Sequence, residues 1–291
     1  MNRPSSRFLL FATLAFSATP FAEPTDFAKH TLGNTRVRDL PRDANGREFR
    51  VLVALPYSYE SNPSKRYPVL YLCDGYWDFT LVNGLYGNIL YDKTVPEFII
   101  VGLSYTGDNP KYDSLRRYDY TPVADPSTDP KARNSGHGKE FLAALQHQII
   151  PFVQKEYRVD TTWRGIAGSS LGGLFALYTA FEAPGLFQGT IAPSPAIVWA
   201  NGWINKREAE FARSGKALPT RLFLSTASEE WPDFTKAIRV FNDTLDAHKI
   251  AGLVKKWRIV DGERHAGTKA ESYNRGLRYI LSPLAPEPSE K

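Results

Sequence analysis

A chain of 291 residues with 42% hydrophobic and 23% charged residues is long enough to bury a core and too apolar to stay disordered. Its formal net charge of +5 comes from scattered basic residues with no compact Lys/Arg stripe, which argues against nucleic acid as a partner. The single cysteine, Cys73, excludes an internal disulfide and sits in an apolar run. No Cys/His spacing matches a zinc site, so neither a metal nor a cofactor is expected.

Residues 1–22 are predicted to be an export signal. Arg3 and Arg7 give a charged start, 8–16 is an apolar run too short to span a membrane, and small residues continue to Ala22. Ser17 and Ala22 are the candidate cleavage points. The mature protein, one domain over 23–291, is then expected in the periplasm or outside the cell. No later stretch has the length and apolarity of a transmembrane helix.

Residues 50–55, 68–73 and 97–103 read as buried strands, being short apolar or β-branched runs bounded by turn residues. Residues 164–168, 187–192, 222–226 and 254–260 continue the series. Between them lie helical patterns. In 139–155, Phe141, Leu142, Leu145, Ile149, Phe152 and Val153 share one face; in 233–249, Phe234, Ile238, Phe241 and Leu245 do so, with Gly252 beyond the end. Strands alternating with helices predict an α/β domain built on a mostly parallel sheet covered on both faces. Residues 104–138 show neither period, and a loop of that length inside a compact domain usually carries function. Residues 283–291 read as a loose tail.

The chemistry centres on Gly168-Ser169-Ser170-Leu171-Gly172. A strand precedes it and a helical run, 174–180, follows, so Ser170 is placed on the sharp strand–turn–helix that exposes a nucleophile. The helix start also offers the Leu171 N–H to a developing oxyanion. A serine needs a base. His30 is near the N-terminus, His147 and His248 fall in helical patterns and His137 in a loop. His265 follows the last strand, at the carboxyl end of the sheet where α/β sites form. The orienting acid belongs between them in the chain. Glu229, Glu230 and Asp233 follow strand 222–226; spacing favours Glu230, with Asp233 as helix cap. The second oxyanion donor is expected at Gly75 or Tyr76, in the turn after strand 68–73.

At this point the chain resembles the esterase D family, and within it the enterobactin-type siderophore esterases. The resemblance rests on Tyr67-Pro-Val-Leu-Tyr-Leu-Cys-Asp-Gly75, on 135–142, 149–153 and 167–178, on Ser194-Pro195 with Trp199, and on Gly262-Glu-Arg-His265. It covers nearly all of the chain beyond Arg50. It implies the α/β-hydrolase fold and a serine esterase with Ser170 and His265 in the roles assigned above. Part of that branch works with a Ser–His near dyad. Two departures bear on the substrate: Ser169 stands where the family often has His or Tyr, and 194–199 lacks the usual second Ser and Trp pair.

The expected partner is therefore a small ester, in particular a ferric catecholate siderophore. Arg116, Arg117, Trp199 and Trp203, with the tyrosines of 104–138, are the candidate substrate contacts. A feruloyl or acetyl esterase is the alternative substrate reading. An inactive ligand-binding protein on the same fold is the alternative of another class.

Overall fold

The computed structural model describes residues 31–42, 46–131 and 133–285. The predicted signal, 1–22, and the end of the predicted tail, 286–291, lie outside them. One sheet of eight strands forms the centre: β1 (Thr35–Asp39), β2 (Phe49–Ala54), β3 (Tyr67–Leu72), β4 (Ile99–Tyr105), β5 (Val159–Ala167), β6 (Gly189–Pro193), β7 (Thr220–Ala227) and β8 (Leu253–Val260). Their spatial order is β1-β2-β4-β3-β5-β6-β7-β8. β1, β2 and β4 pair antiparallel; from β4 to β8 every pairing is parallel. This is the α/β-hydrolase arrangement.

Parallel strands need crossovers, and helices supply them. They are α1 (Gly75–Tyr91), α2 (Tyr112–Tyr120), α3 (Gly138–Ala144), α4 (Ile150–Glu156), α5 (Leu171–Glu182), α6 (Trp199–Arg213), α7 (Pro232–His248) and α8 (Thr268–Leu281). The predicted helix over 139–155 is real, but a π-helical turn at Leu145–Ile149 divides it. A 3₁₀ turn at Ser282–Leu284 occupies the start of the predicted tail. The sheet is buried on both sides, with one core around Phe141, Phe175 and Phe241 and another around Phe79, Tyr273 and Ile280. Among the described residues no helix is long and apolar enough to cross a membrane.

Four elements were not legible in the sequence. β1 is an edge strand with exposed Arg and Asp, so it shows no apolar run. α1 reads as a turn at Asp74-Gly75 and carries its apolar residues on nearly all sides. α6 opens with Ala200, Asn201 and Gly202 in left-handed geometry, which hides its period. α2 lies within 104–138. There Tyr105, Tyr112 and Tyr120 are buried, so these rings are core and not substrate wall. Asp233 stands in the first turn of α7, where its charge suits the helix dipole, while Trp231 is the cap residue.

Candidate active site

β5 ends at Ala167 and α5 begins at Leu171, which leaves three residues to reverse direction. Ser170 absorbs the turn with φ 58° and ψ −119°, a strained conformation for a residue with a Cβ. The surroundings fix it. Its N–H donates to Pro193 O at 3.2 Å, and its carbonyl accepts from Ala196 N at 3.0 Å and Leu174 N at 2.9 Å. Glycine is required on both sides: a Cβ at Gly168 would lie 2.6 Å from the Gly172 carbonyl, and one at Gly172 would lie 2.7 Å from Asp74 Oδ2. The elbow therefore packs directly on the turn after β3. Ser169 points inward, with its buried hydroxyl unpaired among the described residues.

That turn supplies the first residues of α1. Asp74 adopts φ 58°, ψ 38°, and its carbonyl accepts the N–H groups of Trp77 and Asp78 at 2.9 Å each. The N–H groups of Gly75 and Tyr76 precede the first helical bond, as does that of Leu171 on α5. Gly75 must be glycine, because a Cβ there would lie 2.7 Å from the Gly102 carbonyl carbon of β4. Asp74 is itself held twice. Arg116 of α2 grips its carboxylate through two hydrogen bonds of 2.6 and 2.8 Å, and the Tyr120 hydroxyl accepts its N–H at 3.1 Å. Burial pushes the Asp74 carboxyl up, and Arg116 opposes that shift.

His265 and Glu230 come from the turns after β8 and β7. The turns are joined by Glu229 N–H to Glu263 O at 2.9 Å and by Gly262 N–H to the Ser228 hydroxyl at 2.8 Å. His265 Nδ1 is hydrogen-bonded to Glu230 Oε1, which leaves Nε2 as the nitrogen available for proton transfer. Glu230 Oε2 accepts from the Ser194 and Thr226 hydroxyls at 2.9 Å each, and from Ala227 N–H at 3.3 Å. Burial alone raises the pKa of this carboxyl. The bonds from His265, Ser194 and Thr226 outweigh it and hold the group below the ordinary glutamate value. Glu229 turns outward, its side chain 57% exposed, 3.8 Å from Arg264. The His265 ring lies 5.3 Å from Trp231 and 5.2 Å, edge-on, from Phe234. A cleft of about 340 Å³ opens among Glu229, Glu230, Trp231, Pro232, Arg264 and His265.

The expected substrate contacts fare differently. The Arg116 guanidinium is committed to Asp74, which gives it a positioning task in place of the expected anion contact. Arg117 is exposed on α2. Trp199 donates its ring N–H to Val123 O at 2.8 Å and so ties α6 to the segment before α3. Trp203 packs 6.1 Å from Tyr178. Of the other described histidines, His248 binds Glu208 at 2.8 Å and His137 stacks on Tyr118 at 3.7 Å. The sequence marks Ser194 and Arg264 only within resemblance motifs and Phe234 only as part of a helix face, and it assigns no site role to these or to Thr226 and Trp231. Only the exposed Trp231-Pro232 step beside Glu230 gave a signal that was open to reading.

Comparisons with known proteins fit this geometry. A family model described as putative esterase matches residues 43–247. The Bacillus subtilis protein named ferri-bacillibactin esterase BesA is 26% identical over 270 residues, covering 88% of this chain and 92% of its own. The Emericella nidulans siderophore enterobactin esterase is 33% identical over 129 residues, covering 41% of this chain and 42% of its own. Among solved structures, the BES protein of Bacillus cereus superposes with a TM-score of 0.78 at 24% identity, over 89% of this chain and 99% of that one, a likeness of fold.

Proposed function

The chain belongs to the putative esterase family, ester hydrolases on the α/β-hydrolase fold, and on that premise we propose that Ser170, His265 and Glu230 are its catalytic residues. His265 Nε2 takes the Ser170 proton as the hydroxyl oxygen attacks the ester carbonyl. The N–H groups of Leu171 and of Gly75 or Tyr76 hold the oxyanion. Collapse expels the alcohol, protonated by His265, and leaves an acyl-enzyme; water activated by the same imidazole then releases the acid. Glu230 fixes the imidazole tautomer and balances the imidazolium charge. The observation that carries this reading is the joint one: a strained Ser170 at a strand–helix elbow, and, in the turn after β8, a histidine whose Nδ1 is held by a buried carboxylate with both oxygens satisfied.

The substrate assigned is a siderophore ester of the enterobactin type, met in the periplasm. Supporting it are the activities after which the relatives are named and the aromatic, partly cationic cleft beside His265. Hydrolysis opens the ester backbone of such a chelator, so ferric siderophore is substrate and iron is cargo. The test is the purified protein against enterobactin, iron-free and ferric, methyl ferulate and 4-nitrophenyl acetate. The expected kcat/KM for enterobactin exceeds that for methyl ferulate by at least ~10-fold, the scale that well-placed contacts provide. Enterobactin left intact while ferulate is cleaved would overturn the siderophore assignment and leave the esterase.

A further inference from the structure

The turn between β7 and α7 treats adjacent side chains in opposite ways. Glu230 is 8% exposed, while Trp231 is 63% exposed. The backbone at Trp231 is polyproline-like, φ −54° and ψ 130°, so its indole leaves in a different direction from the Glu230 carboxylate. Pro232 starts α7 immediately afterwards and makes the turn stiff. The same geometry that buries the carboxylate thus throws the indole outward, beside the imidazole that carboxylate holds. An indole left in water on a rigid turn forgoes a large apolar burial, which calls for a ligand to cover it.

The rest of the cleft suits one kind of ligand. Trp231 offers a flat face, with Phe234 set against it at 6.0 Å. Arg264 lines the same cleft, its side chain 84% exposed and paired, among the described residues, with Glu229 at 3.8 Å. An exposed pair at that separation is weak, so the guanidinium is available to an incoming anion. Trp231, Arg264 and His265 line the same space. A group bound there sits directly beside the base, so it is the group flanking the scissile ester.

We infer that this cleft is the subsite for the planar aromatic anion of the ester substrate, with Trp231 as stacking platform and Arg264 as anion contact. The inference rests on the siderophore-ester reading and moves the substrate contacts from Arg116 and Arg117 to the turns that carry the acid and the base. Its test does not need the siderophore to be cleaved. 2,3-Dihydroxybenzoate is titrated as an inhibitor of 4-nitrophenyl acetate hydrolysis by the full chain, beside the neutral 2,3-dihydroxybenzyl alcohol. The expected inhibition by the benzoate is competitive. Its Ki rises about fivefold in Trp231→Ala and is largely restored in Trp231→Phe. Arg264→Gln raises Ki for the benzoate about threefold and leaves the neutral alcohol unmoved, while Glu229→Gln lowers it. No competitive inhibition, or a Ki unmoved by both Trp231→Ala and Arg264→Gln, would overturn the subsite. The siderophore reading falls separately, on intact enterobactin.

Discussion

At the level of single residues, the proposed chemistry depends on what each side chain is bonded to. The placement of Ser170, His265 and Glu230 in turns after strands was legible because their order along the chain follows one known arrangement. Ser194 and Thr226 were not, since a small hydroxyl at a strand end has no pattern of its own. Yet these two hydroxyls let a buried carboxylate stay charged. Glu230→Gln is therefore expected to lower kcat at least ~10-fold more than Glu229→Gln, measured on 4-nitrophenyl acetate, because only Glu230 orients the imidazole. Equal small losses would make the site a Ser–His dyad. The same bonds have a pH signature. The folded-state pKa of Glu230 is depressed, so its contribution to stability is complete above the unfolded glutamate pKa of about 4.3 and is lost as pH falls through the folded value. Urea midpoints from pH 7 down to pH 3 are expected to converge for wild type and Glu230→Gln at the acid end; parallel curves would refute the assignment.

At the level of elements, the turn that carries Gly75 and Tyr76 is braced from a helix, α2, that has no helical signature in the sequence. α2 is short and polar on its exposed side, and its buried residues are tyrosines and Asp119, which binds Arg47 and the Tyr105 hydroxyl. No 3.6-residue apolar stripe betrays it. An arginine among tyrosines has the composition of a binding surface, which is what makes Arg116 a candidate substrate contact in the sequence. The structure shows the guanidinium turned inward to Asp74 instead. Removing one partner leaves a buried charge alone, so Arg116→Met is expected to cost ~3–5 kcal/mol in urea unfolding. The double variant Asp74→Asn/Arg116→Met is expected to regain part of that loss. An unaltered midpoint in Arg116→Met would show that the pair does not brace the turn. Gly75→Ala is expected to destabilise as well, since its Cβ meets the backbone of β4 rather than a movable side chain.

At the level of the whole molecule, the order β1-β2-β4-β3-β5-β6-β7-β8 brings turns from distant parts of the chain to one edge of the sheet. The parallel strands β3, β4, β6 and β7 were readable because they are buried on both faces and so appear as continuous apolar runs, whereas β5 and β8 are partly exposed and read more weakly. The exposed edge strand and the distorted or short helices were not. Contacts far apart in sequence then lock the site's supports together. Asp78 of α1 accepts from Lys269 at 2.7 Å and from the Tyr273 hydroxyl at 2.6 Å, both on α8, the helix that follows His265. The central claim is that this assembly makes Ser170 a nucleophile. The most direct measurement treats the folded wild-type protein with a fluorophosphonate and locates the adduct by peptide mass spectrometry. The account predicts one phosphonylated residue, Ser170, with labelling slowed at least ~10³-fold in a folded His265→Ala variant. A folded wild-type chain that stays unlabelled, or that carries the adduct elsewhere, would contradict it.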